Sequence, residues 1–280
     1  MITDSALDLY RSFEHDAWER AANVYAESFE QISGPFAPLL VDACRCTQGD
    51  RVLDIACGCG LVSAAAAALG AAVVGVDYSR AMVEEARRRR PSIEFAEADA
   101  ESLPYADGSF DCVLIGFGVH HFPSPQRALS EAARVLRNSG RIAFSVWSSS
   151  DHAIQQLVID AIQTAGTPDS SLPSPPHGDI KSEEACTALL NGAGFNATSA
   201  YKVEVRVPVP SAFELLCWYE QGTARASALI RSQRSEHRAA VTDALQRSLE
   251  QYTVRGRFLV PAVAIFATGL LSQPASENDP

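Results

Sequence analysis

The sequence lacks an apolar run long enough to cross a bilayer. The longest, Leu61 to Val76, contains Ser63, Gly70 and Gly75 and falls short of the roughly 20 residues a spanning helix needs. No basic leader followed by an apolar stretch accompanies Met1-Ile2-Thr3-Asp4, so no secretory signal is expected. Positive charge is scarce. Lys and Arg total 23 against 34 Asp and Glu, giving −11 over 280 residues, and such a chain has no broad positive field to gather phosphate backbones. Nucleic acid and membrane are therefore not expected as partners. The seven cysteines are an odd number in a chain large enough to do without covalent staples, and a reduced, cytoplasmic setting with free thiols is expected. With 47% hydrophobic and 20% charged residues, wholesale disorder is excluded.

What is present begins with an amphipathic stretch. Between Thr3 and Phe29, the apolar residues Leu7, Tyr10, Trp18, Ala21, Ala22, Tyr25 and Phe29 recur at steps of three and four, which predicts a helix. Ser33-Gly34-Pro35 is expected to break it before a second helix from Phe36 to Cys44. The pattern then changes. Short runs rich in branched residues predict strands at 51–56, 72–77, 93–98, 110–115 and 141–147. Helical segments at 61–69, 80–90 and 126–137 lie between them. Alternating helices and almost wholly apolar strands predict a parallel sheet covered on both faces, a doubly wound α/β domain. Beyond it, 153–165 and 183–191 read as helix, 201–207 alternates as a strand, and 211–252 is mostly helical with an interruption near Gly222. The last apolar segment, 258–270, contains Pro261, which suits a sheet edge or a strand start. The expected organisation is N-terminal helices over 1–50, a ligand-binding core over 51–147, the rest of the sheet with insertions at 148–180 and 211–252, and a polar tail over 272–280.

Asp54-Ile55-Ala56-Cys57-Gly58-Cys59-Gly60 joins the first strand to the first core helix. Gly58 and Gly60 let the backbone turn sharply and approach a ligand, because no Cβ intrudes. The carboxyl edge of such a strand is the usual crevice. Asp77 ends the second strand, about 23 residues after Asp54, where a carboxylate can accept from both ribose hydroxyls of a nucleoside. A dinucleotide site would place a third glycine where Ser63 stands and would leave bare amides for a pyrophosphate. Asp54 instead suits a ligand with a cationic group.

Val52 to Gly60 resembles motif I of the class I S-adenosylmethionine-dependent methyltransferases, with Ala56 in place of the first glycine. The resemblance runs on through Gly75-Val76-Asp77-Tyr78-Ser79, Ala98 to Pro104, Asp107 to Asp111, Gly118 to Phe122 and Arg134 to Arg141, covering roughly residues 15–147. It implies a Rossmann-like methyltransferase fold with a mostly parallel seven-stranded sheet, carrying helical N-terminal and lid additions. It implies S-adenosyl-L-methionine as cofactor, with Ala56 and Gly58 lining the methionine moiety through their backbones. Asp77 would hold the ribose, Tyr78 and Met82 would flank the adenine, and Asp99 would accept from the adenine amino group beside Ala100. Phe117 would offer its carbonyl to the ammonium, and Tyr25 would close over the carboxylate.

The bland readings stand beside these. Asp77 and Asp99 could serve only as caps. Cys44, Cys46, Cys57 and Cys59 could be offered as four zinc thiolates, but the second pair lies inside the glycine loop and the spacing is not that of zinc sites; no metal is expected, and small buried apolar residues are the preferred reading. Arg87 to Arg90 complements a helix dipole. His120, after the fourth strand, is the candidate base by position, although ordering the loop is an equal role for the pair His120-His121. The D/N/S-P-P-Y/F signature of enzymes acting on exocyclic base amines is missing, as is the Pro-Cys pair of cytosine C5 enzymes. A small apolar or aromatic metabolite is the expected acceptor, methylated at O, N or C in natural-product biosynthesis. Trp147, Phe213, Leu216, Trp218 and Tyr219 are its candidate surface, unless they merely pack the insertion. The alternative is an enzyme of this fold that keeps the sulfonium without transferring its methyl, such as a cyclase.

Overall fold

The computed structural model describes residues 4–148, 151–167, 172, 173, 175 and 180–271. The expected polar tail and most of the Pro/Ser-rich segment 168–179 lie outside these. The branched runs become β1 (Arg51–Ile55), β2 (Ala72–Asp77), β3 (Glu94–Glu97) and β4 (Phe110–Gly116). Between them lie α4 (Leu61–Ala68) and α5 (Arg80–Arg89), and α6 (Pro125–Val135) leads to β5 (Leu136–Trp147). Side chains alternate between the faces as a pleated strand requires. Val52 and Leu114 join one hydrophobic cluster, while Leu53 and Ile115 join the cluster on the other face.

Three helices precede the sheet: α1 (Asp4–Tyr25), α2 (Glu30–Ser33) and α3 (Ala37–Ala43). The first ends four residues before the expected Phe29, where the amides of Glu27 and Ser28 fold back onto the carbonyls of Val24 and Tyr25. Gly34 does not break the chain; Gly34–Phe36 forms one tight turn between α2 and α3, with Pro35 at a position where no amide donor is needed. The second half supplies α7 (Ala153–Ala165), α8 (Glu183–Gly192) and β6 (Asn196–Val209). Then follow α9 (Ala212–Gly222), α10 (Arg225–Arg231), α11 (Ser235–Leu249), β7 (Thr253–Val254) and β8 (Arg257–Leu270).

The sheet order is β3-β2-β1-β4-β5-β8-β6, with the two-residue β7 pairing β8 as an eighth strand beside the expected seven. Strands β1 to β5 pair in parallel, and β8 runs antiparallel to both β5 and β6. This is the doubly wound, mostly parallel Rossmann-like fold. Two further features differ from expectation. The helix read as running to Arg137 stops at Val135, because Leu136 is already extended and pairs with Phe110. And β8 is an interior strand despite Pro261. Its partner on one side is β6 throughout, but on the other side β5 pairs only from Ala264 onward and β7 only at Arg257 and Phe258. Pro261 falls in that gap, so the strand is a local edge there and needs no donor. Among the described residues no helix is long and apolar enough to cross a membrane.

Candidate active site

The strand order reverses between β1 and β4, and a crevice opens at the carboxyl ends of the strands there, as doubly wound sheets dictate. A cavity of about 720 Å³ occupies it, within the about 300–1,000 Å³ of small-ligand clefts. Its floor is the glycine loop. Ala56 (φ 55°), Gly58 (φ 52°) and Gly60 (φ 82°) all take left-handed backbone. At Gly60 that conformation brings the chain against the Phe95 ring, which an added Cβ would meet at 2.7 Å. At Gly58 an added Cβ would meet nothing within 4 Å, so the backbone there faces open space.

Two carboxylates frame the loop. Asp77, at the end of β2, accepts the Gly58 amide on Oδ2 at 2.9 Å and the Ser79 amide on Oδ1 at 2.9 Å. Burial pushes its carboxyl above the ordinary range, with those two amides pulling the other way. Asp54 is fully buried in β1. Ser63, standing where a dinucleotide loop would carry glycine, donates to its Oδ2 at 2.6 Å. Its Oδ1 has no partner among the described residues. Burial lifts the Asp54 carboxyl to about 7, against the hydrogen bond from Ser63. The loop thiols stay protonated: burial raises Cys57 well above the ordinary value and Cys59 to about 12.

One long wall comes from α1. Arg11 Nη1 meets Asp99 Oδ2 at 2.7 Å and Nη2 meets Glu101 Oε2 at 3.1 Å; Asp99 Oδ1 also accepts the Glu101 amide at 2.9 Å. Glu14, itself buried, accepts from Trp18 Nε1 at 3.0 Å and lies 2.8 Å from His121 Nδ1. Glu19 accepts from the Ser79 hydroxyl at 2.8 Å and from the Ala81 amide. Tyr10 donates to the His120 carbonyl at 3.1 Å. The bonds of Arg11, Glu19 and Tyr10 and the Glu14–His121 contact span 60 to 110 positions and fasten the helix over the strand ends.

The remaining walls are aromatic. Phe117 takes left-handed backbone just past β4 (φ 57°) and donates its amide to Ser145 Oγ at 3.0 Å. Its ring stacks on Trp147 at 3.9 Å, and Trp147 stacks in turn on His152 at 4.2 Å. Burial holds His152 neutral, lowering its pKa to about 3; its Nδ1 accepts the Val263 amide. Phe29, Phe36 and Tyr219 close around this stack at ring separations of 5–6 Å. The Tyr219 hydroxyl is buried with no partner among the described residues.

All of the sequence-predicted binding residues reach the cavity wall. Ala56, Gly58, Asp77, Tyr78 and Met82 line its β1–β2 side, and Asp99, Ala100, Phe117 and His120 line it further along, with Tyr25 opposite. Of the five aromatic and apolar candidates for the acceptor side, Trp147 and Tyr219 line the cavity. Leu216 and Trp218 are packed in the core behind it, and Phe213 is exposed at 61%, outside it. Sequence reasoning missed Arg11, Glu14 and Trp18 of α1 and Phe36 and Leu40 near α3, all on the wall. The only signal was a pair of charges on a helix face that also carries Tyr10 and Trp18.

The residues present fit a nucleoside with a cationic tail on two grounds. A bare backbone with room for a ligand lies beside Asp77, and an unpartnered buried carboxylate oxygen of Asp54 lies on the cavity wall. Fold and site geometry are similar to those of the Rossmann-like class I S-adenosylmethionine-dependent methyltransferases. Residues 53–144 match the family model described as a methyltransferase domain. A demethylmenaquinone methyltransferase of Renibacterium salmoninarum is 43% identical over 110 residues, which are 39% of this chain and 46% of that protein. The chain thus spans about half the length of the curated relatives it matches. Two solved structures share the fold. The YcgJ protein of Bacillus subtilis has a TM-score of 0.54 at 20% identity, covering 85% of this chain and 98% of its own. The (4+2) cyclase SpnF has a TM-score of 0.52 at 21% identity, covering 88% and 84%.

Proposed function

We propose that the chain transfers a methyl group from S-adenosylmethionine to a small, flat, mainly apolar acceptor. The observation that carries this reading is one cavity with two chemistries: a carboxylate-framed glycine loop at one end and the Phe29, Phe36, Phe117, Trp147 and Tyr219 rings at the other. When bound, the cofactor supplies an electrophilic methyl on a sulfonium. The chain's own residues bind, orient and keep water out. Asp77 receives the ribose hydroxyls, Tyr78 and Met82 flank the base, and Asp99 with Ala100 meets its edge. Ala56 and Gly58 pass the methionine arm along bare backbone. The Phe117 carbonyl and Asp54 Oδ1 take the ammonium, with Tyr25 over the carboxylate.

The five rings at the aromatic end offer flat, uncharged surface. That favours an uncharged planar acceptor such as a quinol ring, and the names of the curated relatives point the same way. His120 is the candidate base. The first test is calorimetry with S-adenosylhomocysteine, which should bind one equivalent. Turnover with a reduced, ring-unsubstituted naphthoquinone is then scored on release of S-adenosylhomocysteine. No heat with that ligand defeats the reading. Heat without methyl transfer to any planar phenol or quinol, with acceptor rearrangement instead, favours the cyclase alternative.

A further inference from the structure

The glycine-loop cysteines do not meet Cys44 and Cys46. Cys57 packs with Val83, Ala86 and Phe95, and Cys59 with Ala21, Ala22 and Met82. Instead Cys112, from the start of β4, closes on the pair. The three sulfurs of Cys44, Cys46 and Cys112 all lie within 4.8 Å of one another, and all three residues are buried. Cys112 stands four residues before Gly116, so the cluster lies about 13 Å along the strand from the cavity, toward the amino ends of the central strands.

We propose that these three sulfurs form a site for one soft, thiophilic cation, Zn²⁺ or Cu⁺, which ties the turn after α3 to β4. The centre of a triangle with sides of 4.8 Å lies about 2.8 Å from each corner, and closing by about 0.5 Å reaches the roughly 2.3 Å of a zinc–sulfur bond. Thiolate sulfurs select such ions over hard ones. The surroundings are built for charge. Arg141 Nη2 is 3.1 Å from Cys112 Sγ and 2.6 Å from Asp50 Oδ2, so a cation-bearing side chain offsets the negative charge that three bound thiolates gather. Asp50 Oδ2 lies 3.5 Å from Cys112 Sγ and is oriented by the Thr47 amide at 2.8 Å. Cu⁺ is satisfied by the three sulfurs alone and Zn²⁺ takes a water as its fourth ligand, because the Asp50 carboxylate, held by Arg141, lies outside the group of mutually close ligand atoms. Binding releases the thiol protons to solvent and leaves every oxidation state unchanged.

The structural consequence is local. Phe36 and Leu40, on the helical run that ends at Cys44, line the acceptor end of the cavity. A metal clamp at the foot of that run fixes the wall against the sheet.

The test uses the whole chain, reduced and stripped of metal, titrated separately with Zn²⁺ and Cu⁺ against a chromophoric chelator. One equivalent should bind, with a rise in Tm, and S-adenosylhomocysteine binding should persist in the stripped chain. Cys112→Ser, and separately the double variant Cys44→Ser with Cys46→Ser, should weaken binding by about tenfold or more. Because Cys112 is fully buried, a measurement that needs no variant is added: Cd²⁺ should give thiolate-to-metal charge-transfer absorption that saturates at one equivalent. No stoichiometric binding of any of the three ions, or binding undiminished in a folded Cys112→Ser chain, overturns the proposal. So does a disulfide within the cluster accompanied by no metal affinity in the reduced chain.

Discussion

Asp54 and Asp77 divide the work of the glycine loop at the level of single side chains. Asp77 has two amides to satisfy it, and a ligand hydroxyl adds to a charge already stabilised. Replacing it with Asn halves the acceptor capacity toward Gly58 and Ser79 and toward the ribose. A hydrogen bond to a charged group contributes about 1.5–3 kcal/mol, so Asp77→Asn should weaken S-adenosylhomocysteine about 10–100-fold by calorimetry. Asp54 behaves differently, since one oxygen is buried without a partner among the described residues and burial raises the carboxyl to about 7 in the fold. In the unfolded chain it titrates at about 3.9. Between these values the folded state keeps a proton that the unfolded state has lost. The stability from that proton is therefore full below about pH 4 and is lost as pH rises through about 7. Urea unfolding across that window should show the loss, and Asp54→Asn should flatten it. A cationic ligand pulls the group the other way. Affinity for S-adenosylhomocysteine should rise with pH up to about 7, with release of up to one proton seen in calorimetry across buffers of different ionisation heat. Affinity unchanged with pH in the wild-type chain would show that Asp54 does not face the ammonium.

At the scale of elements, caps and pairing gaps decide where each segment starts and stops. Ser79 accepts the Met82 amide at the start of α5 and donates to Glu19 of α1. One hydroxyl therefore serves two elements, and Ser79→Ala should cost about 1 kcal/mol for the cap, measured by urea unfolding, with a further loss in cofactor affinity as α1 loosens. A destabilisation with unchanged affinity would separate the cap from the site. The core strands and the glycine loop were legible in the sequence because their signals are local: branched runs, alanine-rich helix, Gly58, Gly60 and Asp77 all lie within one βαβ unit. The ends of α6 and β5 were not, since Leu136 is drawn into the sheet by Phe110 across a long gap in sequence. Pro261 misled for a similar reason. Its rule is sound, but whether a strand is an edge depends on which neighbour stops short, and β5 stops at Trp147. The same limit hid half of the site. Arg11 meets Asp99 across 88 positions and Glu14 meets His121 across 107, and no periodicity in either segment announces its partner.

For the molecule as a whole, the sheet is a fixed floor and α1 is a wall held by polar contacts and by a small apolar seam of Trp18, Ala21, Ala22 and Tyr25 against Cys59 and Met82. The β5–β8–β6 half is sewn by long antiparallel ladders with an apolar interior. By contrast, α1 is joined to the strand ends through Arg11, Glu14, Glu19 and Tyr10. Partly exposed ion pairs of this kind contribute little each, so α1 should open more readily than the sheet. A ligand in the cavity touches the strand-end loops on one side and Glu14, His15 and Trp18 on the other, which makes its binding energy available to seat the helix. At one hundred times Kd, S-adenosylhomocysteine should add about 2.7 kcal/mol of stability, or roughly 5 °C in Tm for a chain of this size. Hydrogen exchange should place most of the added protection in residues 4–25 and in the loops after β1, β2 and β4. Arg11→Ala should remove part of the α1 protection while leaving that of β6 and β8 as it was. If the gain falls evenly over the sheet instead, α1 is already as fast to the core as the strands are, and the ligand enters by a route that does not involve it.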